Sequence, residues 1–173
     1  IGAALGLTSR LTLFANLPFV TTRVQANLRL DSTTADAGLN PAHPVLGNST
    51  DQGLATAFLQ DFSAALTELN DSIGSGAYAG NPALDAIAQA LLARGTTIRD
   101  QLSLLSNDPT AASPFMPTQG SGAGAAIQAV IAGLQDTLAN QLRVAGFSST
   151  PVLPVTRAVQ ADLQSFISAP PGP

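Results

Sequence analysis

The sequence contains no cysteine, no lysine and no tryptophan, and charged residues occupy only 10% of its 173 positions. Without cysteine, disulfides and thiolate metal sites are excluded. A typical soluble domain carries about 25% charged residues, so this chain has unusually few charges to solvate its surface. All seven positive charges are arginines, the formal net charge is −4, and the arginines form no cluster. A basic face for nucleic acid is therefore excluded.

Long apolar runs are also absent. The best candidate, residues 123–134, is interrupted by Gln128 and Gly133. It falls short of the ~18 consecutive apolar residues that a membrane-spanning helix needs. No basic segment followed by an apolar one opens the chain, so we expect that a signal peptide was removed or never included. Any contact of this chain with a membrane is expected to use strands.

The first fifty residues alternate between apolar and polar positions, which is typical of strands with one wet face. Apolar residues occupy odd positions from Leu11 to Phe19 and even positions from Val24 to Leu30. A shift of one residue moves every side chain to the opposite face, so the change near Val20 requires a bulge or a turn back. Because Pro18 favours a bulge, we predict one long bulged strand with a hairpin close behind. Residues 31–50 are predicted to form a loop.

From residue 51 onward, apolar residues recur every three or four positions, as they do in amphipathic helices. Glycines, prolines and the pair Asn81–Pro82 divide this pattern into segments. We predict four helices, at about residues 51–73, 82–106, 121–144 and 156–168. We expect their apolar stripes to share one core, which includes Phe58, Phe62, Leu66, Leu91, Ile98, Leu102, Ile131, Leu134 and Leu138.

The two parts differ in their capacity to fold alone. The helical stretch, residues 51–168, has its own apolar stripes and caps, and we expect it to fold without the first fifty residues. An isolated hairpin is only marginally stable in water and needs further strands or a membrane. The N-terminal part is therefore incomplete by itself, and we expect the chain to be a fragment of a longer protein.

Two stretches near the start carry a signature: Leu5–Leu13, which reads LGLTSRLTL, and Leu17–Val20, which reads LPFV. They resemble a repeated motif of bacterial outer-membrane β-barrels, in particular the transporter family associated with phenol meta-degradation pathways. Strands of that family often read (F/Y)GLTDRL-x-L followed by (V/L)P(Y/F)V, and Ser9 stands where the family usually has aspartate. The resemblance covers about residues 5–30 and implies a tight periplasmic turn followed by a strand that runs outward.

The resemblance implies an α+β fragment in the outer membrane. Residues 1–50 would form antiparallel barrel-type strands and a loop, and residues 51–173 would form a helical insertion of three to four antiparallel helices. Because barrels keep short periplasmic turns and long extracellular loops, the helices are expected on the outer face. A polar row would face the lumen, where it either tunes the passage of solutes or only lines a water-filled interior. That row is Arg23, Gln25, Asn27 and Arg29.

The remaining candidate sites have simpler explanations. His43, the only histidine, is predicted to be a solvated loop residue. Oxygen ligands for Ca²⁺ could come from Asp31, Thr33, Asp36 and Asn40. Turn formation by such residues explains the same pattern and is favoured. The segment Gly120–Gly124 lacks the lysine and the preceding strand of a phosphate-binding loop, and is predicted to be a flexible lead into the third helix.

Three functions from different classes remain. The first is a non-enzymatic piece of an outer-membrane barrel, a transporter or porin-like protein with a helical insertion, whose partners are membrane lipid and a small-molecule solute. The alternative is a secreted or periplasmic helical interaction module with no transport role. An enzyme is the least favoured, because we identify no catalytic, cofactor-binding or metal-binding residue and expect no cofactor.

Overall fold

The computed structural model describes residues 2–8, 11–16, 23–24, 29–31, 33–43, 49–107 and 114–168. Helices dominate this part of the chain. In chain order the elements are β1 (Gly2–Thr8), β2 (Leu11–Asn16), β3 (Ala37–Leu39), α1 (Ser49–Gly74), α2 (Pro82–Asn107), β4 (Phe115–Pro117), α3 (Gly122–Asp136) and α4 (Gln160–Ser168). None of the described helices combines the length and the hydropathy required to traverse a lipid bilayer.

The two longest helices, α1 and α2, form because their apolar residues recur at helical spacing. On α1 the buried stripe consists of Ala55, Phe58, Leu59, Phe62, Ala65, Leu66 and Leu69. At the start of α2, the Asn81 side chain accepts a hydrogen bond from the backbone N–H of Leu84 at 3.2 Å. This cap satisfies an N–H that has no partner within the helix. The predicted ranges of both helices are confirmed to within two residues.

The third helix ends earlier than predicted. After α3 the chain continues as a π-helical turn over Thr137–Gln141, where the Leu142 N–H donates to the Thr137 carbonyl at 3.0 Å. Arg143 then adopts a left-handed conformation, with φ of 57°, and the helix stops. The Tyr78 hydroxyl donates to the Leu142 carbonyl at 2.9 Å and fixes this end of the helix against the α1–α2 connection.

An apolar core lies between α1, α2, α3 and the segment that follows α3. Its buried members are Phe58, Leu59, Phe62, Ala65, Leu66, Leu69, Tyr78, Ala88, Leu102, Ile131, Leu134, Leu138, Leu142, Val144 and Phe147. Of the nine predicted core residues, seven belong to this set, and Leu91 and Ile98 pack against it half-buried. The predicted shared core is therefore confirmed. Phe147 is not among the predicted core residues, and its ring stacks on Phe62 at a centroid distance of 4.6 Å.

A small antiparallel sheet connects the loop before α1 to the C-terminal part of the chain. The paired residues of β3 and β4 are Ala37 with Pro117, Gly38 with Met116, and Leu39 with Phe115. The Ala158 N–H also donates to the Ala37 carbonyl at 3.2 Å. Gly38 leaves no space for a side chain, because a Cβ there would lie 2.4 Å from the Thr156 carbonyl oxygen. Strand β3 belongs to the predicted N-terminal part, residues 1–50, and β4 belongs to the predicted helical part, residues 51–173. The two predicted parts are thus joined by strand pairing.

The N-terminal strands form a hairpin, in which β1 pairs antiparallel with β2 and opposes Leu5 to Leu13. The predicted extended backbone from Leu11 to Phe19 is confirmed over Leu11–Asn16, and the rest of that stretch lies outside the described residues. Residues 23–24 and 29–31 adopt no regular secondary structure. The rest of the predicted Val24–Leu30 strand lies outside the described residues.

The predicted fold class, an α+β fragment built on outer-membrane barrel strands, is wrong. The described chain is mostly helical, and its strands form two separate two-stranded sheets. The alternation between apolar and polar residues does predict extended backbone at β2. It does not specify how many strands join it, because strand pairing depends on distant segments of the chain. Here the strand that pairs with β2 is β1, its neighbour in the chain. Most of the other described residues lie in helices.

Candidate functional site

An apolar groove lies between α2 and α3, with a volume of about 320 Å³. Its lining comprises Ile98, Gln101, Leu102, Leu105, Ala126, Ile127, Val130 and Ile131. The residues from α2 are three and four positions apart, and those from α3 have the same spacing. Each helix therefore contributes one ridge of side chains, and the groove runs between the two ridges.

The groove exists because the apolar stripe of α3 is wider than the surface that covers it. Ile131 and Leu134 are buried in the core, whereas Ile127 is half-buried and Val130 is 36% exposed. Adjacent residues on a helix point about 100° apart, so Val130 and Ile131 do not both face the same neighbour. The Ile131 side chain is buried in the core, and the Val130 side chain lies at the rim of the groove.

No charged side chain lines the groove, and Gln101 is its one polar lining residue. Residues Gly122–Gln135 contain no charged residue at all. A second depression, between α1 and α2, differs because it contains the ion pair of Arg99 and Asp100, whose Nη2 and Oδ1 atoms are 2.6 Å apart. An exposed pair of this kind contributes little to stability. The α2–α3 groove is thus suited to apolar contact and the second depression is not.

The predicted polar row is only partly described by the structure. Arg23 and Arg29 are both exposed and lie in segments without regular secondary structure. Gln25 and Asn27 lie outside the described residues. The lumen-facing arrangement of these four residues therefore stays a prediction.

His43 lies in the interior, and the expectation of a solvated loop residue is wrong. Its side chain is only 2% exposed, and its ring meets the edge of Phe166 on α4 at 5.7 Å between centroids. Burial lowers the pKa of His43, because the charged imidazolium loses its hydration there. The Gln52 side chain donates to the His43 carbonyl at 3.4 Å, which ties the loop to the start of α1.

The oxygen-bearing residues that could have held Ca²⁺ are used in local turns and in the interior. The Asp31 carboxylate accepts hydrogen bonds from the hydroxyls of Thr33 and Thr34, each at 2.6 Å, and from the Thr33 N–H at 3.0 Å. These bonds hold the pKa of the Asp31 carboxyl well below its usual range, with the Thr33 hydroxyl as the largest contribution. The turn-forming role of Asp31 is confirmed. Asn40 is fully buried, away from this turn.

The segment before α3 is a hydrogen-bonded cap, where the sequence predicted a flexible lead. The buried Ser121 hydroxyl donates to the Thr118 carbonyl at 2.7 Å and accepts from the Gly124 N–H at 3.0 Å. Gly124 sits so close that an added Cβ would lie 2.1 Å from the Thr118 carbonyl oxygen. Gly124 therefore serves close packing of the backbone, whereas a Cβ at Gly120 or Gly122 would meet nothing within 4 Å.

Acidic side chains of α1 bind the segment that follows α3. Glu68 Oε1 accepts from the Ala145 N–H at 3.1 Å, and Asp61 Oδ2 accepts from the Ser149 hydroxyl at 2.6 Å. Among the residues that the structure describes, no three histidine or acidic side chains come together as metal ligands would. These carboxylates thus have structural partners.

No family model, curated protein or solved structure matches this chain.

Sequence reasoning named Ile98, Leu102 and Ile131 as core residues and did not recognise the groove beside them. The missing information was which face of α3 the other helices leave uncovered. One signal was present, since α3 combines a broad apolar stripe with the absence of charge over Gly122–Gln135. A helix that is apolar over more than one face needs a second partner.

Proposed function

We propose that this chain is a non-enzymatic interaction module that binds an amphipathic helix of a partner protein in the groove between α2 and α3. The observation that carries the proposal is the groove itself, which has a ridge of mainly apolar side chains from each of its two helices and no charged lining residue. Grooves of this kind accept a helix whose apolar residues recur at every third or fourth position.

The length of the groove sets the size of its occupant. Ile98 and Leu105 mark its two ends on α2, and seven residues of helix span about 10 Å at 1.5 Å per residue. A partner helix of two turns covers that distance and presents apolar side chains at positions i, i+3 or i+4, and i+7. Because the lining is uncharged, the stripe that enters it is uncharged as well.

The non-enzymatic part of the proposal is supported by the partners of side chains whose types usually perform catalysis. Asp61 and His43 are each engaged with the protein itself, the first with the segment after α3 and the second against α4. A general acid or base must instead face a site where substrate binds.

We also propose that the module works in the bacterial cell envelope. This part rests on the resemblance of about residues 5–30 to bacterial outer-membrane proteins, and it concerns location alone. Fractionation of cells that express the complete gene tests it. Recovery of the protein from the cytosol alone would contradict it.

A peptide-display experiment tests the groove. A library of helical peptides with randomised positions i, i+3, i+4 and i+7 is selected on the full chain, and the recovered peptides are measured by fluorescence anisotropy. We expect apolar residues at those positions. We expect Val130→Asp, which puts a charge at the rim, to weaken binding at least about tenfold, since a buried unpaired charge is costly.

Val155→Asp is the matched control, because Val155 is another exposed valine that does not line the groove. Peptide affinity should be unchanged in this variant. Equal loss of affinity in both variants, or selected peptides without an apolar stripe, would contradict helix binding at the groove.

A further inference from the structure

Arg94 extends the α2 ridge of the groove beyond its Ile98 end. It lies four residues before Ile98 and seven before Gln101, and both of these residues line the groove. Residues at such spacings share one face of a helix. At 1.5 Å per residue, Arg94 lies about 6 Å beyond Ile98 along the helix axis. A positive charge therefore stands next to the uncharged lining at this end of the groove.

The Arg94 guanidinium has no carboxylate partner in the part of the chain that the structure describes. Its side chain is exposed. The ion pair on α2 joins Arg99 to Asp100 instead, and Arg94 forms no hydrogen bond or ion pair with a described residue. The positions three and four residues away on either side of it in α2 are uncharged. Its charge is thus accessible to a molecule that lies along the ridge.

The other charges near this end of the groove face different directions, because each residue turns an α-helix by about 100°. Arg99 lies five residues after Arg94 and lines the depression between α1 and α2. Asp136 lies six residues after Val130, about 120° around α3 from it. The Asp136 carboxylate accepts a hydrogen bond from the Asn140 side chain at 2.6 Å. Among the described residues, Arg94 is therefore the charge that a helix in the groove meets at this end.

Resting on the proposed helix binding in this groove, we propose that the partner helix carries a carboxylate about one turn beyond one end of its apolar stripe, and that this carboxylate pairs with Arg94. A guanidinium and a carboxylate can form two parallel hydrogen bonds, which adds geometric specificity. A shift of the partner by one turn would separate the two groups, so the pair fixes the register of the bound helix. A basic residue at the same place would be repelled.

The overall charge of the chain makes this preference informative. The formal net charge is −4, which by itself disfavours an acidic partner. A preference for a carboxylate at the groove would therefore report the local charge of Arg94 and not the charge of the whole protein. Because the pair lies at the rim, its effect should be modest and should depend on salt.

Three synthetic helical peptides test the pairing on the full chain. They share leucine at positions i, i+3, i+4 and i+7, and carry glutamate, glutamine or lysine at both i−4 and i+11, one turn beyond each end of the stripe. Fluorescence anisotropy gives their dissociation constants at low and high salt, about 0.05 M and 0.5 M. At low salt we expect the glutamate peptide to bind at least about threefold more tightly than the glutamine peptide, and the lysine peptide to bind most weakly. High salt should reduce these differences.

Three variants assign the preference to one side chain. Arg94→Gln should bind the glutamate and glutamine peptides equally, and Arg94→Glu should prefer the lysine peptide. Arg99→Gln is the matched control, because it removes the same charge from another face of α2. It should keep the preference for glutamate. Circular dichroism verifies that each variant is folded, and the three peptides on the unaltered chain decide even where a variant is not.

The outcomes separate this inference from the proposed function. Equal binding of the three peptides to the unaltered chain overturns the pairing with Arg94 and leaves helix binding in the groove standing. A glutamate preference that persists in Arg94→Gln, or that Arg99→Gln loses to the same extent, also overturns it. If none of the three peptides binds, helix binding at the groove fails and the pairing fails with it.

Discussion

The side-chain amide of Asn40 donates a hydrogen bond to the carbonyl oxygen of Leu105, 65 positions further along the chain. The oxygen of the same side-chain amide is also hydrogen-bonded, since Asn40 Oδ1 accepts from the Ala42 N–H at 3.0 Å. Asn40 is completely buried. The loop that follows β3 is thus held against the last turn of α2, where a carbonyl would otherwise lack a partner.

We predict that Asn40→Ala destabilises the protein by about 2 kcal/mol, because the buried Ala42 N–H and the half-buried Leu105 carbonyl then lose their hydrogen bonds. Chemical denaturation monitored by circular dichroism measures the change. Asn140→Ala is the control, since Asn140 is exposed and bonds only to Asp136 among the described contacts. It should change stability by less than about 0.5 kcal/mol. A cost for Asn40→Ala no larger than the control would mean that this amide does not hold the loop.

Two glycines of α3 should respond to alanine with opposite signs. At Gly124 a Cβ would lie 2.1 Å from the Thr118 carbonyl oxygen, and we predict a loss of about 2 kcal/mol from overpacking. At Gly133 a Cβ would meet nothing within 4 Å, and we predict a gain of about 1 kcal/mol from helix propensity. Thermal unfolding of both variants gives the comparison. The close approach of Thr118 to α3 is refuted if the two substitutions shift the midpoint in the same direction.

Phe62→Ala should be among the most damaging substitutions in the core. Phe62 is fully buried and stacks on Phe147, so its removal leaves a cavity and costs about 3 kcal/mol or more. Phe166→Ala is a useful comparison, because Phe166 is only half-buried and anchors a peripheral helix. Its cost in global unfolding should be clearly smaller. Unchanged unfolding of Phe62→Ala would mean that the α1 stripe is not buried.

The structure changes the expectation that residues 51–168 fold without the first fifty. Removal of residues 1–50 deletes β3 and Asn40, and leaves β4 and the Leu105 carbonyl without their partners. We predict that residues 29–173 unfold cooperatively, and that residues 51–173 have a midpoint at least about 10 °C lower. Both pieces are compared by thermal circular dichroism. Equal midpoints would show that β3 contributes nothing to the helical body.

The sequence was sufficient for those elements whose causes are local. Helices α1 and α2 could be placed from their apolar spacing and from Asn81–Pro82, because a stripe and a cap are properties of a single segment. The same stripes identified the core residues Phe58 and Phe62. These features depend on neighbours along the chain and need no knowledge of the fold.

Features that depend on distant segments were missed. His43 was expected in solvent, because no local pattern reveals that Phe166, far along the chain, covers its ring. Phe147 lies in an aperiodic segment and enters the core only because the chain turns back after Arg143. The groove beside Val130 likewise depends on which face of α3 the other elements leave open. Periodicity shows that a stripe exists, but the packing decides how much of it is covered.

The π-helical turn over Thr137–Gln141 makes the position of Phe147 depend on the number of residues before it. A π-turn contains one residue more than the α-helical path needs. Deletion of one residue from this turn would let α-helical geometry continue, and would rotate the following chain by about 100° and shift it by about 1.5 Å. Phe147 would then leave its stack with Phe62. At this point in the chain, a change of length is therefore more damaging than most changes of residue type.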